Sequence, residues 1–114
     1  MKQVDHIAIK ELSDMADSMY GDFVKAVVDL ENGLLVVDAE MHVDLEQFLL
    51  ENGSKQENLW GINLYPANLG TDQFVEFDSM INIRPRQKNM SRSVEDEKIR
   101  AKILELVSEK ISND

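Results

Sequence analysis

The sequence predicts an α+β fold, in which a mostly antiparallel sheet of four to five strands carries two to three helices on one face. Two apolar, β-rich runs flank an Asn-Gly pair, and a second pair of strand-like runs follows at Leu59–Tyr65 and Phe74–Ile83. Three further segments repeat apolar residues at helical spacing. The predicted order is β-α-β-β-α-β-β-α, within a single domain that spans residues 1–114.

The first half of the chain contains the clearest local signals. Residues 2–8 alternate weakly and predict a short strand, and a helix with an apolar stripe follows: Leu12, Met15, Ala16 and Met19. Gly21 stands where a helix C-cap glycine is common. The runs Phe23–Leu30 and Leu34–Ala39 then flank Asn32-Gly33. Because both arms are nearly continuous in apolar residues, we place this hairpin in the middle of the sheet.

The second half predicts a helix, a hairpin and a final helix. Asp44 is typical of a helix N-cap, and Asn52-Gly53 ends that helix. The strands Leu59–Tyr65 and Phe74–Ile83 direct apolar side chains to one face and polar ones to the other: Asn63, Tyr65, Asp78, Asn82 and Arg84. Ser93 is predicted to cap the last helix, whose inner stripe runs from Ile99 to Val107.

Charge is distributed unevenly along the chain. The formal net charge is −10, and residues 1–83 carry four lysines against sixteen acidic side chains. All four arginines lie in the remainder, and residues 84–92 hold four cations and no acid. Because the arginine side chain can grip a carboxylate or phosphate with two parallel hydrogen bonds, this cluster is the best candidate site in the sequence.

We therefore interpret the protein as a binding or interaction module that receives a small anionic ligand or an acidic protein segment. The polar hairpin face and the arginine loop would form the site. In this interpretation Arg84, Arg86 and Arg92 supply charge. Asn63 and Asn82 orient the ligand, and Trp60 and Tyr65 pack against it. Two structural alternatives stay open, namely a solvated sheet face and arginines that pair with the protein's own carboxylates.

Two other functions stay open as well. A small hydrolase-like enzyme would use His42 as a general base and Arg84 to hold an oxyanion. An acidic, antitoxin-like regulator would instead bind a basic protein. His42, Asp44 and Glu46 would share one face of a strand and could bind a metal there, but a helix cap at Asp44 breaks that geometry, so we predict neither a metal nor a cofactor.

Composition also bears on partners and location. A net charge of −10 repels nucleic acids, so we predict no binding of DNA or RNA. No apolar run approaches the ~18 residues of a membrane span, and the N-terminus lacks the apolar segment of a signal peptide. The absence of cysteine excludes disulfides and thiol catalysis. We expect a cytoplasmic protein without membrane contact, for which a homodimer is one possible arrangement.

Two segments resemble a known family. They are Leu49–Pro66 (LLENGSKQENLWGINLYP) and Met80–Gln87 (MINIRPRQ), and the stretch Asp22–Asp29 and His42 fit the same resemblance. They resemble a small prokaryotic domain family of unknown function, found in bacteria and archaea. The resemblance implies a stand-alone domain of about this length and implies no activity. The chain departs from the family pattern after Gln87, where a glycine is expected and Lys88 is present.

Overall fold

A computed structural model describes residues 1–113, and its elements alternate along the chain much as the sequence predicts. The strands are β1 (Lys2–Val4), β2 (Ile7–Ala8), β3 (Val24–Asp29), β4 (Leu34–Val37), β5 (Leu59–Leu64), β6 (Val75–Glu76) and β7 (Ile111–Ser112). The α-helices are α1 (Ile9–Asp17), α2 (His42–Glu51) and α3 (Glu97–Lys110). Single turns of 3₁₀ helix occur at Gln56–Asn58, Pro66–Asn68, Met80–Asn82 and Pro85–Gln87.

The main sheet has five strands in the order β1-β4-β3-β5-β6, and all neighbours are antiparallel. A separate two-stranded parallel sheet joins β2 to β7, so that the residues after α3 return to the start of α1. The predicted α+β class and the antiparallel sheet are therefore confirmed. The extra parallel pair was not predicted, because two-residue strands leave no periodicity in a sequence.

The two faces of the sheet are covered by different helices. Alternate residues of β3 divide between them: Ala26 and Val28 pack with α1 and α3, whereas Val27 packs with α2. The predicted inner stripe of α3 is confirmed in this core, where Ile103 is fully buried. Side-chain alternation along the strands thus places two helices on one face and the third on the other.

The β3–β4 hairpin follows the sequence closely. Val27 pairs with Val36 and Val28 with Leu35, and all four side chains are fully buried. Gly33 has a φ of +66° in the turn, a conformation that glycine adopts at little cost. The Asp29 side chain closes the turn by accepting hydrogen bonds from the backbone N–H groups of residues 31 and 32. This hairpin therefore lies at the centre of the sheet, as predicted.

The second hairpin departs from the prediction beyond Glu76. Its first strand is confirmed as β5, but β6 contains only two of the ten residues predicted for Phe74–Ile83. Past that point the chain folds over Gly61, where an added Cβ would lie 2.6 Å from the Cβ of Ser79. The Asn82 side chain then pairs with the Gly61 backbone, accepting from its N–H (2.8 Å) and donating to its carbonyl (2.9 Å). The Asn82 amide thus makes the two hydrogen bonds that the backbone of a neighbouring strand would make.

Two predicted helix caps are wrong. Helix α2 begins at His42 after Met41, and no side chain caps it, because Asp44 lies inside its first turn. Helix α3 is capped by Asp96, which accepts from the N–H of Lys98, rather than by Ser93. Within residues 1–113, no helix is both long enough and apolar enough to cross a membrane.

Candidate functional site

Arg84 is buried inside the fold instead of lying on an open face. Its side chain is only 9% exposed, and its guanidinium stacks on Trp60, with Cζ 4.2 Å from the ring centroid. The guanidinium donates hydrogen bonds to the backbone carbonyls of Gln56 and Leu59 and to Oε1 of Gln87 (3.0 Å). The expectation of a solvent-facing Arg84 is therefore wrong, and its donors mainly hold the start of β5 against the loop.

Glu46 lies beside this buried arginine. Its Oε2 atom and the Nε atom of Arg84 are both buried and make no hydrogen bond within residues 1–113. Burial lowers the pKa of Arg84, and the nearby Glu46 carboxylate acts in the opposite direction. Within residues 1–113 the two side chains form no ion pair, so Glu46 affects Arg84 only through its nearby charge.

The remaining hairpin residues also make internal contacts. Asn82 is fully buried against Gly61, and Asn63, also buried, donates to Oε1 of Glu76 at 2.8 Å. The Tyr65 hydroxyl donates to the same carboxylate oxygen at 3.1 Å. Burial raises the pKa of Tyr65, as do the hydrogen bond to Glu76 and its charge. The residues of the predicted polar face therefore separate into two groups. Asn82 is buried and pairs with the backbone of β5, whereas Asn63 and Tyr65 bind the Glu76 carboxylate at the edge of the sheet.

The arginine loop is a short turn held by amide groups. Arg84 and Asn89 pair as an antiparallel bridge, and Lys88 closes the turn with a φ of +60°. The Asn89 side chain donates to the carbonyl of Asn82 at 2.7 Å and accepts from the N–H of Glu95 at 2.9 Å. Arg86 is exposed at the tip of this turn. The three candidate arginines therefore point to different places and do not converge on one ligand.

Arg92 belongs to a different site, a cavity of about 280 Å³ beside the N-terminus of α2. We call it the α2 cavity, and eight residues line it: Lys25, Met41, His42, Val43, Ser79, Met80, Ile81 and Arg92. The Nε atom of Arg92 donates to Oδ1 of Asp78 at 2.6 Å. The backbone carbonyl of Arg92 accepts a hydrogen bond from the N–H of Ser79 at 3.0 Å. This bond holds the loop against the cavity wall.

Lys25 is the second cation of the α2 cavity. Its Nζ lies 4.9 Å from the centroid of the Tyr20 ring, in a cation–π contact. Within residues 1–113, no carboxylate lies within ion-pair distance of this Nζ. Sequence reasoning missed Lys25, because a lone lysine in an apolar strand gives no signal until the fold brings Arg92 beside it.

His42 forms part of the cavity wall and is 8% exposed. Its Nε2 lies 2.8 Å from the carbonyl oxygen of Ile62, and because a carbonyl can only accept, Nε2 carries the proton and donates. Burial lowers the pKa of His42, and the positive charge of Lys25 acts in the same direction. The ring is therefore neutral at pH 7, with Nδ1 as its remaining acceptor.

Comparison with known proteins gives one match. The family described as "Protein of unknown function (DUF5674)" matches residues 3–110. The chain belongs to this family. No curated protein and no solved structure gave a significant match. The expectation of an uncharacterised small-domain family is therefore confirmed at that level, and function has to be argued from the site itself.

Lys88 adopts a backbone conformation that favours glycine. The residue stands where the family resemblance implies glycine, and the backbone there is left-handed, with φ +60° and ψ +27°. Glycine adopts this conformation without a steric penalty, whereas a side chain with a Cβ costs roughly 1–2 kcal/mol. The turn therefore carries local backbone strain at Lys88.

A larger groove, of about 460 Å³, lies on the opposite side of the sheet between α3 and the segment 69–77. Its walls are mostly apolar and include Phe74, Phe77 and the half-exposed Leu104. Two of its hydroxyl groups, those of Thr71 and Ser108, donate to backbone carbonyls. The groove offers apolar contact but no converging charged donors, which distinguishes it from the α2 cavity.

Proposed function

We propose that this protein is a binding module, not an enzyme, and that it receives an anionic group in the α2 cavity. The group belongs to a small ligand or to an acidic segment of a partner. The proposed ligand class, an anion, is the one inferred from the sequence, but the site is the α2 cavity instead of the polar hairpin face and the arginine loop. Arg92 stays in it, whereas Arg84, Trp60 and Asn82 become structural residues.

One observation carries the proposal: Lys25 and Arg92 line the same cavity in a chain with a formal net charge of −10. The chain has 22 acidic side chains, yet none forms an ion pair with Lys25 within residues 1–113. Arg92 pairs with Asp78 through Nε and keeps its two terminal nitrogens free of hydrogen bonds within the same residues. Two cations with unused donors at one concave surface favour an anion.

The backbone around the cavity supports the same conclusion. Helix α2 begins there at His42, and no side chain caps its first N–H groups. These groups and the positive end of the helix dipole favour negative charge. The Asp44 carboxylate, in the first turn of α2, offsets part of this positive end, and the neutral His42 ring adds no charge.

The hydrolase-like alternative receives less support. It requires Arg84 beside His42, but Arg84 is not among the residues that line the α2 cavity, and its donors are engaged with carbonyl groups. The Nε2 atom of His42 is likewise engaged with Ile62. A binding module needs neither residue to be free.

The test is a titration with two anionic probes, sodium phosphate and an acetylated hexapeptide of glutamates, followed by ¹H–¹⁵N NMR at low salt. We expect the amide signals of Lys25, His42 and Arg92 to shift with at least one probe. Each charge-assisted contact is worth roughly 1.5–3 kcal/mol, so Lys25→Gln or Arg92→Gln should weaken binding about tenfold or more. Arg86→Gln removes an equal charge outside the cavity and is the matched control.

Two results would contradict the proposal. In the first, neither probe shifts the cavity signals. In the second, Arg86→Gln weakens binding as much as Arg92→Gln does, which would indicate a diffuse effect of net charge.

A further inference from the structure

We infer that the ligand of the α2 cavity is an aliphatic monocarboxylate, a single carboxylate on an unbranched or branched hydrocarbon body. The inference rests on the proposed function, because it names the ligand class of that same site. Three features of the cavity carry it: its volume, its apolar walls and its charge balance.

The volume exceeds what a bare inorganic anion needs. About 280 Å³ corresponds to roughly nine water molecules, at about 30 Å³ of liquid volume each. A phosphate or sulfate ion held at Lys25 and Arg92 would leave much of this space to water. The cavity therefore has room for a ligand with a body as well as a charged group.

The apolar residues of the lining suit a hydrocarbon body. Met41, Val43 and Met80 are 51%, 51% and 65% exposed, and the partly buried Ile81 continues the same surface. Four apolar side chains and two cations line the same cavity, which makes the site amphipathic. Methionine is unbranched and adapts to different shapes, so these walls can close around a flexible chain.

The charge balance favours a monoanion. The ionised lining residues are Lys25 and Arg92, and Asp78 pairs with Arg92, which leaves one net positive charge. Asp44, in the first turn of α2, lies outside the lining and further disfavours a second negative charge on the ligand. A carboxylate neutralises that charge, whereas a doubly charged phosphate would leave one negative charge next to Asp78. The two terminal nitrogens of Arg92 also present a planar pair of donors that matches the two oxygens of a carboxylate.

The experiment compares acetate, butanoate and hexanoate by ¹H–¹⁵N NMR titration. Full burial of one methylene is worth about 0.8 kcal/mol, which is about a fourfold change in Kd. Because the cavity rim is half exposed, we expect Kd to fall roughly two- to fourfold for each methylene added. Hexanol and hexyl phosphate carry the same body with a neutral and a doubly charged head group, and we expect both to bind at least about tenfold more weakly than hexanoate.

Matched variants separate the two ends of the site. Met80→Ser with Val43→Ser should reduce the gain per methylene, and should weaken hexanoate by a larger factor than acetate, whose body is a single methyl group. Arg92→Gln should weaken all three acids by a similar factor. Ile83→Ser removes an exposed apolar side chain outside the cavity and should change neither quantity.

The outcomes distinguish failure of this inference from failure of the proposed function. If phosphate and acetate bind as tightly as hexanoate and still depend on Lys25 and Arg92, the site is a general anion site and the monocarboxylate assignment is wrong. If hexanol binds as well as hexanoate, or if phosphate shifts the cavity signals and no monocarboxylic acid does, the monocarboxylate assignment is wrong and the anion site stands on the phosphate result. If neither the acids nor phosphate nor the glutamate peptide shifts these signals, both proposals are wrong. If a peptide ending in a leucine carboxylate binds more tightly than hexanoate while its amide does not, the source of the carboxylate is a protein C-terminus, and the assignment to a free acid is overturned.

Discussion

Replacing Arg84 by methionine should destabilise the protein strongly, although the residue lies in a polar surface segment of the sequence. Methionine keeps much of the aliphatic stem and removes the guanidinium. The variant loses the hydrogen bonds to the carbonyls of Gln56 and Leu59, the contact with Gln87 and the stacking on Trp60. It also removes the positive charge that lies near the buried Glu46 side chain.

The magnitude follows from these losses. Hydrogen bonds from a charged group are worth about 1.5–3 kcal/mol each, and a partly desolvated cation–π contact adds roughly 0.5–2 kcal/mol. The terms do not add fully, since one group makes all of them. We therefore expect a loss of about 3–5 kcal/mol in the free energy of unfolding, a large part of the roughly 5–15 kcal/mol of a typical domain.

The assay is urea denaturation followed by far-ultraviolet circular dichroism, with Arg86→Met as the control. Arg86 is exposed two residues away, so its replacement should stay within about 0.5 kcal/mol of the parent protein. Arg84→Met with Glu46→Leu should recover part of the loss, because it also removes the buried Oε2 atom of Glu46, which has no hydrogen-bond partner within residues 1–113. An unfolding midpoint for Arg84→Met equal to that of Arg86→Met would refute the structural role and return Arg84 to the list of candidate ligand residues.

Three further predictions follow from the fold. Ile103→Asp should unfold the protein, because it places an unpaired charge in a fully buried position, whereas Leu104→Asp, at a half-exposed neighbour, should keep a cooperative melting transition by circular dichroism. Lys88→Gly should raise the free energy of unfolding in urea by about 0.5–1 kcal/mol, since relief of the left-handed strain exceeds the added entropy of the unfolded chain, whereas Arg86→Gly should lower it. Burial and the charges of Lys25 and Arg92 lower the pKa of His42 in the folded state, whereas the hydrogen bond to Ile62 and the charge of Asp78 raise it by less. The folded-state pKa is therefore below the unfolded-state value. The contribution of His42 to stability is present above about pH 6.5 and is lost as the pH falls through the folded-state pKa. The difference in stability between the parent protein and His42→Asn should accordingly shrink from pH 8 to pH 5, and a constant difference would contradict a buried neutral ring.

The sequence alone determined the elements whose signals are local. The Asn32-Gly33 turn, the continuous apolar arms around it and the helical stripes on α1 and α3 were each readable, because turn chemistry and side-chain periodicity act within a few residues. These signals were sufficient for the α+β class. They also placed β5 correctly, since its alternation matches the two faces of the sheet.

Only the tertiary structure decided where the second hairpin leaves the sheet. The alternation of residues 74–83 was compatible with a long strand, but Gly61 lets Ser79 pack directly on β5, and the Asn82 amide then supplies the pairing that a strand backbone would give. Whether a side chain replaces a backbone partner depends on a contact between residues distant in sequence, so no periodicity reports it. Arg84 is buried as a consequence of that path.

The candidate site was decided in the same way. Charge clustering along the sequence pointed to Arg84, Arg86 and Arg92 together, but a turn at Lys88 separates their side chains. The fold instead places Arg92 in the lining of one cavity with Lys25, which comes from a strand in the middle of the sheet, and with His42 at the start of α2. Composition determined that cations are scarce and therefore informative, whereas the packing of distant segments determined which of them share a cavity, because electrostatic cooperation depends on distance in space and not on spacing along the chain.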